Sequence, residues 1–414
     1  MNKHNSDKTN MIKTFIYSLL ERRHFWRYAS FDEIAELYLS RTIRIIAMNI
    51  VSGFTSVYLY EAGYSLAFIM GFWLCFYLLK IPLTFYSGYF VARFGPKHGI
   101  LVSNLLYVPS MVALGLMPKL GMVSIVLWGI FMAISASLYH ICYIVDFSKI
   151  KNIEHAGKEL AFMNILEKIA IGISPIVGGL IALWFSLQVV IWVAALLFAV
   201  SALPLLKTIE PVRTHQKLEF IGFPWRTTIR SILAHTGVGF DYVTTGIIWS
   251  LFIVVVIFPG AGWDIYVKLG ILSSVTILAA IIASYAYGKI IDKSQGGRLL
   301  IFSVFANGLV HAFRPFVTTP AIIVGTNIAN EVATMGYNMA FMRGVFDTAD
   351  SSGHRIFYIC FSDIVSNIGA AIACAILIIC TALSGDVEGL KVFFFFAAGF
   401  VLLIGTANFR LYRK

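Results

Sequence analysis

Apolar residues recur along this chain in blocks of about 18 to 28, each long enough at 1.5 Å per residue to cross roughly 30 Å of hydrocarbon. Twelve blocks can be drawn, at 43–60, 65–91, 99–117, 121–145, 160–183, 187–206, 232–258, 265–291, 299–317, 320–342, 356–384 and 390–409. A segment in lipid must satisfy its own backbone hydrogen bonds, so each block reads as a helix. The pattern predicts an all-α membrane protein of twelve transmembrane helices. Ahead of the first block, "ASFDEIAELYLSRT" opens on a Ser30-x-x-Glu33 capping-box pattern and alternates at helical spacing. It predicts an amphipathic helix on the membrane surface.

Composition agrees with the pattern. Hydrophobic residues make up 59% and charged residues 13% of the 414, where soluble domains carry roughly a quarter charged. With the N-terminus inside, the outer loops hold only Lys119, Lys268, Arg314 and Lys391. Lys80 and Lys168 fall within blocks, and every other Lys and Arg lies at the inner ends. That bias predicts both termini in the cytoplasm, in a multi-pass protein of the cell inner membrane. It also accounts for the net charge of +11 through anionic lipid, with no nucleic-acid partner. Cys75, Cys142, Cys360, Cys374 and Cys380 all lie in blocks without CxxC spacing, so they predict packing residues, with no metal site and no disulfide framework.

The chain divides at a polar, basic linker, 207–230, with six blocks on either side. The expected organisation is a cytoplasmic segment (1–41), a six-helix bundle (42–206), the linker, and a second bundle (231–414). A loop after the second block of each half repeats. Gly88-Tyr-Phe-Val-Ala92-Arg93-Phe-Gly95-Pro-Lys97 matches Gly288-Lys-Ile-Ile-Asp292-Lys293-Ser-Gln-Gly296-Gly-Arg298. Paired six-helix halves are a known arrangement of secondary transporters. The loop resembles the Gly-x-x-x-Asp-Arg-x-Gly-Arg/Lys-Lys/Arg signature of the major facilitator superfamily, departing from it at Ala92. That resemblance implies two pseudo-symmetric six-helix bundles, alternating access, and a cavity lined by helices one, four, seven and ten. Gly88 permits close helix approach and Gly95 a positive-φ turn. Arg93 or Lys97, with Asp146 at the end of block four, would form a cytoplasmic gate latch; if they do not, these cations fix topology. In block five, Ala161, Ala170, Ser174, Pro175, Gly178 and Gly179 fall on the spacing of the element found in proton-coupled antiporters of that superfamily. A kinked small-residue packing face would use the same residues. The helix-four Arg-x-x-x-Gly element of drug antiporters is absent.

Ionisable groups within hydrocarbon are costly and therefore mark function. Glu331 lies midway along block ten, and Asn327, Glu331, Thr334 and Asn338 share one helical face. A carboxyl there can carry a proton. Asp241 in block seven and Lys80 in block two, the latter facing an acid or an anionic substrate, complete the leading set for the substrate and proton pathway. His140 with Tyr143, Asn49 with Ser52 and Ser56, Glu167, Lys168, and Asp363 with Asn367 are further positions; His311 and His235 read as hydrogen-bonded bystanders. No nucleophile elbow, Walker loop or metal-ligand set is present, so neither an enzyme nor ATP-driven transport is expected, and no cofactor is called for. The expected function is a monomeric secondary transporter of a small-molecule substrate coupled to a proton or another ion, with export the favoured direction. The alternative is a non-transporting receptor or lipid-handling protein of the same fold.

Overall fold

The computed structural model describes residues 31–150, 156–206, 218–260, 268–269, 271–272, 276–293 and 295–412. Ser30 of the capping-box pattern and residues 207–217 of the linker lie outside these, as do the side chains of Ser52 and Ala161. The first helix, α1 (Phe31–Glu61), is continuous, so the amphipathic stretch is the inner extension of the first spanning helix and does not stand apart on the membrane surface. Ser40 within it is buried and donates a hydrogen bond to the Ser201 carbonyl at 2.6 Å, which ties the extension to the bundle.

The remaining long helices follow in order: α2 (Leu66–Phe94), α3 (Pro96–Gly115), α4 (Met122–Ile150), α5 (Ala156–Trp184), α6 (Leu187–Ala202), α7 (Trp225–Ile257), α8 (Ile277–Asp292), α9 (Gly296–Phe313), α10 (Pro320–Ser351), α11 (Arg355–Ser384) and α12 (Asp386–Val401). Their ends follow local chemistry. The Ser65 hydroxyl accepts from the Phe68 N–H at the start of α2, and Ser186 does the same for Val189 at α6. Gly95, at φ +89°, ends α2 in a conformation that a Cβ would strain. Ten helices among the described residues are long and apolar enough to cross a membrane. The other two are α8, described over 16 residues, and α10, whose polar stripe lowers its hydropathy. α7 is interrupted by π-helical turns at Thr244–Ile248 and Ile253–Ile257, which rotate its faces and mark functional helices more often than plain ones.

Helices α1 to α6 pack as one set, centred on α3 against α4 and α6, and α7 to α12 as another, centred on α11 against α7 and α9 against α10. The sets meet along α2 with α11 and along α5 with α8, two seams that exchange under a pseudo-two-fold relation. Phe302 of α9 and Leu278 of α8 are 72% and 73% exposed, as suits surface turned toward lipid.

Two glycines set the closest approach within the second set. A Cβ on Gly239 of α7 would run into the Ser366 carbonyl of α11, and one on Gly369 of α11 into the Thr236 carbonyl of α7. Both obstacles are backbone, so neither can yield by a side-chain rotation. Gly369→Val is expected to cost at least about 3 kcal/mol, the upper end of ordinary overpacking. The measurement is the melting temperature and monodispersity of detergent-purified protein; an unchanged melt would mean that α7 and α11 stand further apart than described.

Arg314, expected in an outer loop, is instead fully buried just beyond the end of α9. Its hydrogen-bonding partners, described below, hold it inside the bundle. Arg44, counted with the inner end of the first block, is also buried, at 1% exposure, within α1.

Candidate functional site

Charged side chains meet between the two helix sets in an ordered way. On α2, Lys80 and Thr84 lie one helical turn apart on one face. The Thr84 hydroxyl donates to Asp363 Oδ2 of α11 at 2.7 Å, and Asn367 Nδ2 donates to the same oxygen at 2.9 Å. His140 of α4 places Nε2 3.3 Å from Asp363 Oδ1. Lys80 interacts electrostatically with Asp363, and its ammonium lies 5.9 and 5.8 Å from the ring centroids of Phe76 and Tyr77. On the other seam, Lys168 of α5 pairs with Glu331 of α10. The adjacent Glu167 is held within the first set, accepting from Arg41 Nε at 2.9 Å while the Arg41 guanidinium stacks 3.3 Å above the Tyr143 ring. The first set therefore presents Lys80, Lys168 and His140 to the gap, and the second presents Asp363 and Glu331. Among the described residues, no three His, Cys, Asp or Glu side chains group as a metal site.

Asp241 belongs to a different constellation, inside the second set. It is 1% exposed and accepts from Asn307 Nδ2 at 3.0 Å, from the Tyr337 hydroxyl, and from His311 Nε2 at 2.6 Å. Arg314 Nη1 lies 3.0 Å from His311 Nδ1. A guanidinium can only donate, so Nδ1 accepts and Nε2 carries the proton toward Asp241. Arg314 also donates to Asn330 Oδ1 at 3.0 Å and stacks 4.6 Å from the Trp249 ring. The chain Asp241–His311–Arg314–Asn330 thus joins α7, α9 and α10 through the bundle core and does not open on the gap. His311, read as a bystander in the sequence, is its central link.

The first set holds a buried cation of its own. Arg44 donates to Asn104 Oδ1 at 2.6 Å and to Ser135 Oγ at 3.4 Å, and stacks 3.8 Å from the Tyr139 ring. Asn49 Nδ2 donates to the Ile45 carbonyl of its own helix at 2.8 Å. Of the α10 stripe, Asn327 Oδ1 accepts from the Trp249 indole at 2.7 Å, while Asn338 is exposed.

At the end of the molecule carrying the repeated loop, Lys97 pairs with Glu36 of α1 at 3.1 Å. Glu36 was not singled out by the sequence, although it lies in the stretch recognised as amphipathic. Asp146 is buried near the end of α4. Arg93 is exposed and hydrogen-bonds the Tyr89 hydroxyl of its own helix at 3.3 Å. A Cβ on Gly88 would collide with Cys360 Sγ of α11, so Gly88 sits on the seam between the sets. In the second copy Gly288 is buried, Asp292 is half-buried and Arg298 is exposed. In α5, Ser174 donates to the Ala170 carbonyl at 2.5 Å, Pro175 and Gly179 are buried, and Gly178 lies against the Ile50 carbonyl of α1. The small-residue element thus supports close packing of α5 on α1.

Two solved structures share this architecture. A bacterial homologue of the iron transporter ferroportin, in an outward-facing state, superposes with a TM-score of 0.67 at 14% identity, covering 90% of this chain and 97% of that one. A variant of the E. coli fucose:proton symporter, FucP, gives 0.63 at 14%, covering 91% and 98%. At such identity the likeness is one of fold. No curated protein sequence matches the chain. The sequence pattern of the Major Facilitator Superfamily matches residues 37–373, spanning α1 through most of α11 with both copies of the repeated loop. The chain is a multi-pass membrane protein and belongs to the Major Facilitator Superfamily.

Proposed function

We propose that the protein is a secondary transporter that moves a small solute across the cell inner membrane by alternating access, driven by a proton gradient, with both termini cytoplasmic. The two bodies that rock are 42–206 and 231–414, joined by the 207–230 linker, in a single chain acting as a monomer. The observation that carries this reading is the Lys168–Glu331 ion pair between the two helix sets, with Asp363 reached from the opposite set by Thr84 and His140. The sets cannot part on that side without separating the Lys168 and Glu331 charges in a medium where ions are poorly solvated. Protonating a carboxylate removes its half of the attraction, which makes parting of the sets responsive to a proton. Glu331 is the proton carrier in this scheme, since its ion-pair partner lies on the opposing body.

The test uses proteoliposomes loaded with a pH-sensitive dye and a panel of small solutes. Wild type is expected to couple solute addition to proton movement. Glu331→Gln is expected to abolish that coupling while solute exchange at equal pH persists. Identical proton movement in both would overturn the assignment of Glu331.

A further inference from the structure

The charges lining the gap restrict what can be carried. Building on the proton-driven reading above, we infer that the solute is an organic anion bearing one net negative charge, bound between Lys80 and Lys168, and that protonation of Glu331 exposes the second of these lysines to it.

In the described arrangement Lys80 and Lys168 face Asp363 and Glu331, so these four charges sum to zero. Arg41 and Glu167 cancel each other within the first set. His140 is neutral or adds a cation; the sum is never negative. A proton arriving on Glu331 leaves one cation in excess. A solute of one negative charge restores neutrality, whereas a cation or a neutral solute leaves uncompensated charge in a poorly solvated gap. Geometry gives the same answer. Lys80 donates no hydrogen bond to any described residue, and its ammonium has the Phe76 and Tyr77 rings beside it. Asp363, its electrostatic partner, is already engaged by Thr84, Asn367 and His140. Among the described residues, Glu331 is the ion-pair partner of Lys168. Taking up a proton at that carboxylate weakens its hold on the Lys168 ammonium, which keeps its own protons.

The elements packed against α10 carry titratable and charged groups of their own. These are Lys168 and Glu167 of α5, Tyr287 of α8, His311 and Arg314 at the end of α9, Asp363 of α11 and Tyr412 beyond α12, with Tyr337 on α10 itself. His311, Arg314 and Tyr337 are committed to Asp241 or its chain, the Tyr412 hydroxyl donates to the Ala340 carbonyl, and Glu167 is held by Arg41. Lys168 is thus the group whose interaction changes most when Glu331 takes a proton.

Anion binding and proton binding must then be linked reciprocally. For one linked proton, the dissociation constant of the anion rises about tenfold per pH unit while Glu331 is mostly ionised. The experiment measures binding by thermal stabilisation of the full-length purified protein at several pH values between about 5.5 and 8.5. The probes are a panel of carboxylates, phosphate esters and sulfonates, each matched with its neutral amide or alcohol and with the corresponding amine. Binding of at least one anion, tighter at low pH, with its neutral and cationic counterparts inactive, is the expected result. Glu331→Gln should bind the same anion with no pH dependence, and Lys80→Gln or Lys80→Met should weaken it at least tenfold; making both lysine variants keeps the test decisive if one fails to fold. Failure of every anion to bind wild type overturns the proposal, as does equal binding of an amide or amine, or pH dependence that survives in Glu331→Gln. The proteoliposome assay separates the two readings. Proton movement driven by neutral or cationic solutes alone would preserve transport and overturn the anion, whereas the expected binding pattern without any proton movement would preserve the anion and overturn coupled transport.

Discussion

Asp241→Asn is expected to lower the melting temperature of the purified protein by roughly 3–6 °C, more than removal of any other carboxylate within the spanning helices. The substitution keeps an oxygen acceptor of the same shape, so it isolates the charge. In the native protein that charge sits at the end of a chain running through His311 to Arg314, which is 0% exposed. Neutralising it leaves the guanidinium buried without a counter-charge, and breaking a buried pair from one side costs about 3–5 kcal/mol. The amide also brings an N–H₂ group: turned toward Tyr337 it obliges that hydroxyl to accept where it had donated, and turned toward Asn307 and His311 it meets two donors. Removing Arg314 as well should return part of the loss, because the cost comes chiefly from the orphaned charge. The check is a double-mutant cycle with Asp241→Asn and Arg314→Met, read by thermal unfolding in detergent. If Asp241→Asn melted within a degree of wild type, the chain through His311 would carry no net stabilisation.

The second large effect is conformational. Lys168→Gln is expected to shift the protein toward the state in which α5 and α10 stand apart, by about 1–2 kcal/mol, or roughly tenfold in population. The figure is set below the fully buried value because Lys168 and Glu331 are 23% and 20% exposed in their side chains, and water screens part of their attraction. Glu331→Gln should shift the equilibrium in the same direction, and the double variant should add little to either single change, since the interaction is lost once. Distances between spin labels on α5 and α10 measure the shift directly. Distributions unchanged by both single variants would show that this ion pair does not hold the two bodies together. Asp241 and Glu331 thus differ in kind. One carboxylate ties helices within a body, and its loss is felt as stability, while the other ties two bodies, and its loss is felt as motion.

Much of the fold could be read along the chain. The apolar blocks correspond to helices within several residues at most ends, ten of them long and apolar enough among the described residues to cross a membrane, because a spanning helix must be apolar over a length set by the bilayer. The amphipathic stretch, expected as a separate surface helix, proved over its described residues to be part of α1. Gly95 was expected at positive φ and has it. Departures cluster at arginines. Arg314 and Arg44 read as loop or end residues because a single charge at the border of an apolar run is indistinguishable from a topological signal. Burial was decided by neighbours that come from distant parts of the chain: Asn330 and His311 for one, Asn104 and Ser135 for the other.

The sequence alone determined that the chain crosses a membrane repeatedly in two related halves, and that ionisable groups within the blocks, Lys80, His140, Lys168, Asp241, Glu331 and Asp363 among them, needed an explanation. Those properties depend on composition and period, which are local. Only the tertiary structure decided how the ionisable groups pair. Thr84 meets Asp363 across 279 positions and Lys168 meets Glu331 across 163, while Asp241 turns away from the gap into the core. Helical period places a side chain on a face, but which face looks into a neighbouring bundle and which into the opposing body follows from how whole helices pack, and the close approaches at Gly239, Gly369 and Gly88 set that packing.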